Sequence, residues 1–443
     1  MPATDDDALL PFSLPSIHRK KVTAAFDGGQ ISSDGGVLLL AGVDKQLGLI
    51  DMLAAIIPDH RDPNLITHPM ADILRPRVFA IACGYPDAND LDDLRQDPAF
   101  KLACGRLPET GVDLTSQPTV SRWENAPDLR TLIRLSHGMV DLWCESYRRP
   151  PKAITLDIDD TPDVVHGHQQ LSLFNAHYDE RCFSPIHVYD AASGHCVVTI
   201  LRPGKTPGGK EVRPSPGHST RLCLAEPLPV SPICAVWCAG YGGTGRAPSS
   251  PSAVTATTAG ARPWIGARKM PSSTSSACPR TKPWTPWSSP RPTRCAPGAR
   301  SATSTPCATS PRPATPPNPG LVPAVSWRAW HRSIAARGQA ENLIKRHKSQ
   351  LASDRTSCRS PLANQMRLIL HTAAYWLMRS MQDAIPRPHP LAKGEFSTLR
   401  LRLLKVAVRI RETATRIRLA FAANCPDAAL FQGLVNTLIL RPS

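Results

Sequence analysis

Between Pro227 and Ala340 the chain runs for 114 residues without one Asp or Glu, and 20 of its 46 prolines and six of its nine tryptophans fall there. Prolines at this density deny both helix and ladder hydrogen bonds. Runs such as Pro283–Pro290 (PWTPWSSP) and Pro311–Pro319 (PRPATPPNP) carry no usable period. Whatever folds must therefore be built from the segments on either side. The stretch also holds 13 of the Lys and Arg residues, leaving 39 basic and 36 acidic side chains elsewhere, so the net charge of +16 belongs mainly to it. Charge alone is a weak argument for a nucleic-acid partner, and a reading as a basic RNA-binding protein weakens with it.

At 443 residues, with 41% hydrophobic and 20% charged side chains, the chain has room for two or three globular domains. No apolar run approaches the ~18 residues of a membrane span. The start, Met1-Pro-Ala-Thr-Asp-Asp-Asp7, is acidic where a signal peptide is basic and then apolar. The expectation is a soluble cytoplasmic protein without a membrane partner. Thirteen cysteines with no Cys-x-x-Cys pair read as scattered reduced thiols.

Residues 1–148 read as a mostly helical region. Ile31-Ser-Ser-Asp-Gly-Gly-Val37 places capping residues ahead of an apolar run. Met70–Gly84 has helical spacing interrupted by Pro76, and Asp128–Trp143 is amphipathic. From 149 to 213 the period becomes two. Ile154, Leu156 and Ile158 alternate with Thr155, Asp157 and Asp159, and Pro185–Asp190 and His195–Leu201 are two further strand candidates joined by a turn at Ala191–Gly194. These three strands would open a mixed sheet. Residues 214–334 form the aberrant segment, read as disordered. From 335 to 443 helices return, at Ala336–Leu351, Leu362–Met381 and an Arg-rich amphipathic stretch over Phe396–Ala423.

Two places carry candidate chemistry. Asp157 and Asp159 lie on one face of a strand, ~7 Å apart along it. With Ile154, Leu156 and Ile158 in the core, the acids should emerge at a sheet surface or edge, where paired carboxylates suit Mg²⁺; solvated acids at a strand end are the plainer account. Spacings of four, four and three place Arg337, Glu341, Lys345 and Lys348 on one helix face, by default a solvated salt-bridge stripe. Ser116–Arg122 could open a recognition helix with Arg122 reaching DNA, or simply a capped helix. His166-x-His168 lacks further ligands at zinc-like spacing. Cys234-x3-Cys238 lies in the aberrant stretch and has no assigned role. The Arg-rich stretch from 396 could neutralise phosphates or be a solvated face.

The ordered motifs of the two flanks together resemble the bacterial insertion-sequence DDE transposases, in the group with a Tyr-x2-Arg-x3-Glu-x6-Lys signature. The matching pieces are Ile31–Gly36 (ISSDGG), Ala82–Asp90 (ACGYPDAND), Ser116–Arg122 (SQPTVSR), Leu156–Thr161 (LDIDDT), His166–Gln170 (HGHQQ), Gly204–Lys210 (GKTPGGK) and Ala336–Asn342 (ARGQAEN). The resemblance implies an α/β fold with a ribonuclease-H-like mixed sheet, incomplete here, between a helical N-terminal domain and a helical C-terminal segment. It implies Asp159 as first metal ligand, with Asp157 competing, and Glu341 as third acid. Arg337, Lys345, Lys348 and Arg122 would be DNA-contacting cations. The implied cofactor is Mg²⁺, or Mn²⁺ in its place, for cleavage and transfer of DNA strands. Implied partners are the transposon ends, with their terminal inverted repeats, and target DNA, bound by a homo-oligomer associated with the nucleoid.

Two signature residues are missing. Ile334 stands where the signature has tyrosine, and nothing matches the second Asp, which the family places in an Asp-Gly-His-Tyr-Gly-like motif. A shifted reading frame over about 214–334 accounts for both. Ser252–Ala261 can be encoded by synonymous codons whose shifted frame reads Arg-Gly-Asp-Gly-His-Tyr-Gly, and Ser333-Ile334 by TCT ATT, which contains a tyrosine codon. On this reading the copy is a defective transposase whose sheet lacks one flank. The alternatives are a genuine Pro/Ser-rich linker and, functionally, a non-catalytic DNA-binding remnant that recognises element ends.

Overall fold

A computed structural model describes residues 11–149, 151, 153–204, 253–258 and 339–440. Contrary to the helical expectation, the described chain begins with strands. β1 (Phe12–Ile17) and β2 (Lys20–Ala24) form an antiparallel hairpin and β3 (Ile31–Ser32) a short third strand. The alternation of Phe12 and Leu14 with Ser13, and a left-handed His18 at the turn (φ 55°), favour a hairpin over a helix.

Helices follow: α1 (Val37–Leu47), α2 (Leu49–Ile56), α3 (Met70–Cys83), α4 (Leu91–Leu94), α5 (Pro98–Ala103), α6 (Gln117–Asn125) and α7 (Leu129–Glu145). Asp128 caps α7 by accepting from Thr131 N at 2.8 Å. Pro76 does not break α3. A proline cannot donate to the carbonyl four residues back, and that carbonyl, on Asp72, instead accepts from the Thr115 hydroxyl at 3.2 Å.

The central sheet contains β4 (Ala153–Asp160), then, after a small sheet of β5 (Asp163–Val164), β6 (Leu173–Asn175) and β7 (Glu180–Phe183), the strands β8 (Ile186–Asp190) and β9 (Cys196–Ile200). The expected turn at 191–194 joins the last two. β4, β8 and β9 are successively antiparallel, and β10 (Ala253–Thr258) pairs parallel to β4 on its other side. Six residues of the acid-free stretch thus form a strand, so neither the irregular reading nor the expected empty flank holds for them. Ala253–Thr258 has no proline, and four of its six residues are β-branched, a composition that fits a pleated surface.

After α8 (339–345), which continues as a π turn over Arg346–Gln350, comes α9 (Pro361–Asp383). α9 packs against α1, α3, α7 and β9 through residues such as Ile369, Leu370, Ala373 and Leu377. Tyr375 OH and Trp376 Nε1 bind the backbone oxygens of Gly194 and Cys196, each at 2.8 Å. The expected helix over 396–423 is corrected. α10 (Phe396–Leu399) passes through a π turn ending at Leu404, and the chain then forms the hairpin β11 (Val408–Thr413) and β12 (Arg416–Phe421), before α11 (Ala428–Leu438). Val408 and Ile410 are buried while Arg409 and Arg411 are exposed. That period of two is a strand's, and the density of arginines concealed it. β11 also pairs with β3.

The Ile31–Gly36 motif joins these distant segments. Gly35 N and Gly36 N donate to the Val406 and Leu404 oxygens at 2.9 and 3.1 Å. A Cβ on Gly36 would sit 1.8 Å from Leu403 O, so only glycine allows the approach. Beside it, fully buried Asp34 forms an ion pair with Lys405 at 2.7 Å and accepts from Tyr85 OH at 2.9 Å. Lys405 Nζ also donates to Tyr85 OH at 2.7 Å. Burial lowers the Lys405 pKa, but its bonds to Asp34 and Tyr85 outweigh this and leave it raised. Ser32 and Asp34 therefore clamp the C-terminal segment, while α1 starts at Gly36 without a side-chain cap.

The seven described cysteines are free thiols, and among the described residues no helix is long and apolar enough to cross a membrane.

Candidate active site

Register fixes the face on which the β4 carboxylates lie. Asp157 is opposite Tyr189 and Asp159 opposite His187, and directly opposed residues share a face. That face is covered, which corrects the expectation that both acids emerge. Asp157 is only 6% exposed, and its Oδ2 has no hydrogen-bond partner. Burial, then the charge of Asp190, raises its pKa. Asp159, nearer the end of the strand, is half-buried. Desolvation raises its pKa, the Asp160 N–H lowers it, and the charges of Asp160, Glu341 and Asp157 raise it further.

Asp190 escaped sequence reasoning. It is fully buried and accepts from Tyr147 OH, from Ser193 Oγ at 2.5 Å and from Ala192 N at 3.0 Å. An Asp opening the turn Asp-Ala-Ala-Ser-Gly was the available signal.

Glu341 is delivered from the other side of the acid-free stretch. On α8, Leu343 and Ile344 are buried, as is His347 in the turn that follows. Tyr189 OH donates to Leu343 O at 3.4 Å, and the His187 and His347 rings are 5.2 Å apart. These contacts seat α8 against β8 and leave Glu341 and Lys345 exposed, with Glu341 near enough to Asp159 to raise its pKa. Asp159 and Glu341 thus converge across 182 residues of chain.

Lys348 faces inward. Its ammonium donates to Thr161 Oγ1 at 3.2 Å and to the Pro162 carbonyl, and lies 3.4 Å from Asp163 Oδ1. Burial pushes Asp163 up to about 7, against the lowering effect of Lys348. Asp160 is paired with Arg202, whose Nε donates to Ser184 O at 3.0 Å. Arg122 is exposed on α6 and lines a cavity of about 390 Å³ with Arg61 and His68. Arg337, Ile334, Cys234 and Cys238 lie outside the described residues, as do all but the first residue of the Gly204–Lys210 motif and the first three of Ala336–Asn342.

Among the described residues no group of three or more His, Cys, Asp or Glu side chains could hold a metal ion. Asp159 and Glu341 supply two hard oxygen donors whose mutual repulsion a divalent cation would relieve. Asp160, the next carboxylate along β4, is paired with Arg202 instead.

A family model described as "Transposase DDE domain group 1" matches residues 14–221 and 329–442. No curated protein and no solved structure matches the chain. The unmatched interval, 222–328, overlaps nearly all of the acid-free stretch.

Proposed function

The chain belongs to the transposase DDE domain family, and from that premise we propose that Asp159 and Glu341 are two acids of a DNA strand-cleavage and transfer centre whose middle acid has been lost. The family acts in transposition-related DNA phosphoryl transfer. The convergence of Asp159 and Glu341 across the unmatched interval carries the reading. Two elements 182 positions apart are seated so that the charge of Glu341 reaches Asp159, which structural packing alone does not require. The Glu341 charge adds to the upward shift of Asp159 and not to that of Asp157, which favours Asp159 as the metal ligand. The strand order β10-β4-β8-β9, with β10 parallel to β4, supports a ribonuclease-H-like sheet.

Asp159 and Glu341 would hold Mg²⁺, which when bound polarises phosphate oxygens. The chain's own residues shape the surroundings. Lys348 fixes residues 161–163 beside Asp159, Arg202 draws Asp160 aside, and the His187–His347 contact locks α8 against the sheet. Binding of terminal inverted repeats by an oligomer on DNA belongs to the same proposal.

The copy is defective because 214–334 is read in a shifted frame, and three observations support this: the stretch lacks acids, it overlaps the unmatched interval, and synonymous codons can conceal the missing motif under Ser252–Ala261. The test is the gene. A GAC triplet spanning the Val254–Thr255 codons is expected, and its absence ends the frameshift reading. Purified protein should not nick end-bearing DNA in Mg²⁺, whereas a frame-restored version should, and should lose this on Glu341→Ala. A second reading, a non-catalytic protein that binds element ends, is favoured by the lack of a three-acid cluster among the described residues. It predicts end-specific binding with no Glu341-dependent nicking even after frame restoration.

A further inference from the structure

The basic residues between 400 and 418 divide into two sets. Arg400, Arg402 and Lys405 are engaged within the protein. Arg400 donates to Ala82 O at 2.9 Å and Gln350 O at 2.6 Å, Arg402 holds Asp427 at 2.5 Å, and Lys405 holds Asp34. Arg409, Arg411, Arg416 and Arg418 are all exposed and have no carboxylate partner among the described residues. All four project from one face of the β11–β12 hairpin, because register places Arg411 opposite Arg418, Arg409 opposite Ala420 and Thr413 opposite Arg416.

Like charges directly opposed on a sheet are destabilising, so the Arg411–Arg418 pair is a local cost that no ion pair among the described residues offsets. The other face explains why the hairpin is nevertheless well placed. Val408 and Ile410 are buried, the Phe421 ring packs at a tilt against Phe431 with centroids 4.9 Å apart, and β11 is zipped to β3 next to the Gly35–Gly36 clamp. The result is a rigid cationic ribbon. Neighbouring arginines on one strand are ~7 Å apart and cross-strand neighbours ~5 Å apart. Duplex DNA presents a charge every ~1.7 Å of axis, and its major groove admits a two-stranded β-ribbon.

We propose that the exposed face of this hairpin, through Arg409, Arg411, Arg416 and Arg418, is a docking surface for the phosphate backbone of duplex DNA, separate from the Asp159–Glu341 centre. It rests on the family reading only for the choice of DNA as occupant. The guanidiniums replace condensed counterions, so the contact is independent of base sequence and strongly salt-dependent.

The test measures binding of a 30-base-pair random-sequence duplex to the full chain in EDTA, by fluorescence anisotropy from 50 to 300 mM NaCl. Arg411→Gln/Arg418→Gln should weaken binding at least tenfold at the low-salt end and reduce the log–log salt slope by about 2. Arg411→Lys/Arg418→Lys should keep the slope. The Gln variant should melt no lower than the parent, since a repulsive pair has been removed, and this separates lost binding from lost folding. An unchanged slope in the Gln variant overturns the proposal, as does tighter binding of a duplex RNA of the same sequence. EDTA keeps the outcome independent of strand cleavage: if Glu341 proves irrelevant to nicking, the docking surface stands or falls on its own slope.

Discussion

Two of the carboxylate sites among the described residues, each joining distant parts of the chain, are built in opposite ways. At the clamp, Asp34 is buried with its cation, Lys405, and a phenol, Tyr85, so the charge is neutralised where it sits. At the candidate site, burial first and then the charges of Asp160, Glu341 and Asp157 push the Asp159 carboxyl toward protonation. A buried charge serving only the fold arrives with its counter-ion, because an unpaired one costs several kcal/mol. Carboxylates left facing one another mark a place where the counter-ion comes from outside. Lys348 sharpens the contrast. It lies seven positions beyond Glu341, yet the fold uses it on Thr161, Pro162 and Asp163.

Breaking the clamp should have the largest effect. Lys405→Met leaves Asp34 buried and unpaired and is expected to destabilise by about 3–5 kcal/mol, read as a lowered midpoint in urea. Gly36→Ala should act in the same direction, because its new methyl would meet the Leu403 carbonyl. Acid should act next. Burial pushes His187 down to about 3 and His347 well below its usual range, with the Lys348 charge adding to the first and His187 to the second. The folded state excludes protons that the unfolded chain takes up below ~6.5. Stability is therefore present above that pH and lost as pH falls toward 3, by about 2 kcal/mol for His187 at pH 5. Asp163, raised to about 7 by burial despite Lys348, works the other way. A melting-temperature profile from pH 8 to 5 should show a net decline, with exchange protection lost first around α8.

Smaller again is the response of the acids themselves. Asp159→Asn removes repulsion and is expected to leave stability unchanged or to raise it by about 1 kcal/mol, the reverse of Lys405→Met. Millimolar Mg²⁺ should raise the parent's melting temperature by a degree or two and do nothing for Asp159→Asn or Glu341→Gln. A Mg²⁺ shift retained in Asp159→Asn but lost in Asp157→Asn would exchange the roles of those two acids. The smallest effect belongs to Asp59→Ala, which removes a largely solvated pair with Arg61 and should cost about 0–1 kcal/mol.

Local periodicity made much of this architecture legible in the sequence. The alternation around Asp157 and Asp159 gave β4, the runs at 185–190 and 195–201 gave β8 and β9, and helical spacing gave α3, α7 and α9. Asp159 and Glu341 could be named because each sits in a short motif. What stayed hidden depends on partners far away. Nothing near Asp34 says that Lys405 neutralises it, so Ser-Ser-Asp read as a cap. The β11–β12 hairpin was misread because its arginines satisfy a helical stripe as readily as a strand's exposed face, and only burial of Val408 and Ile410 decides between them. The β5–β7 sheet has strands of two to four residues, too short to show a period.

The Gly35–Gly36 clamp has a consequence for how the protein is made. The backbone partners of residues 35 and 36 are residues 406 and 404, so this segment cannot reach its final state until residue 406 has left the ribosome. A product stopping anywhere in the acid-free stretch would leave α1 and α3 without the helix that buries them, a client for chaperones and proteases. Conversely, two separately expressed pieces ending near 204 and starting near 339 should find one another and reconstitute a single soluble body.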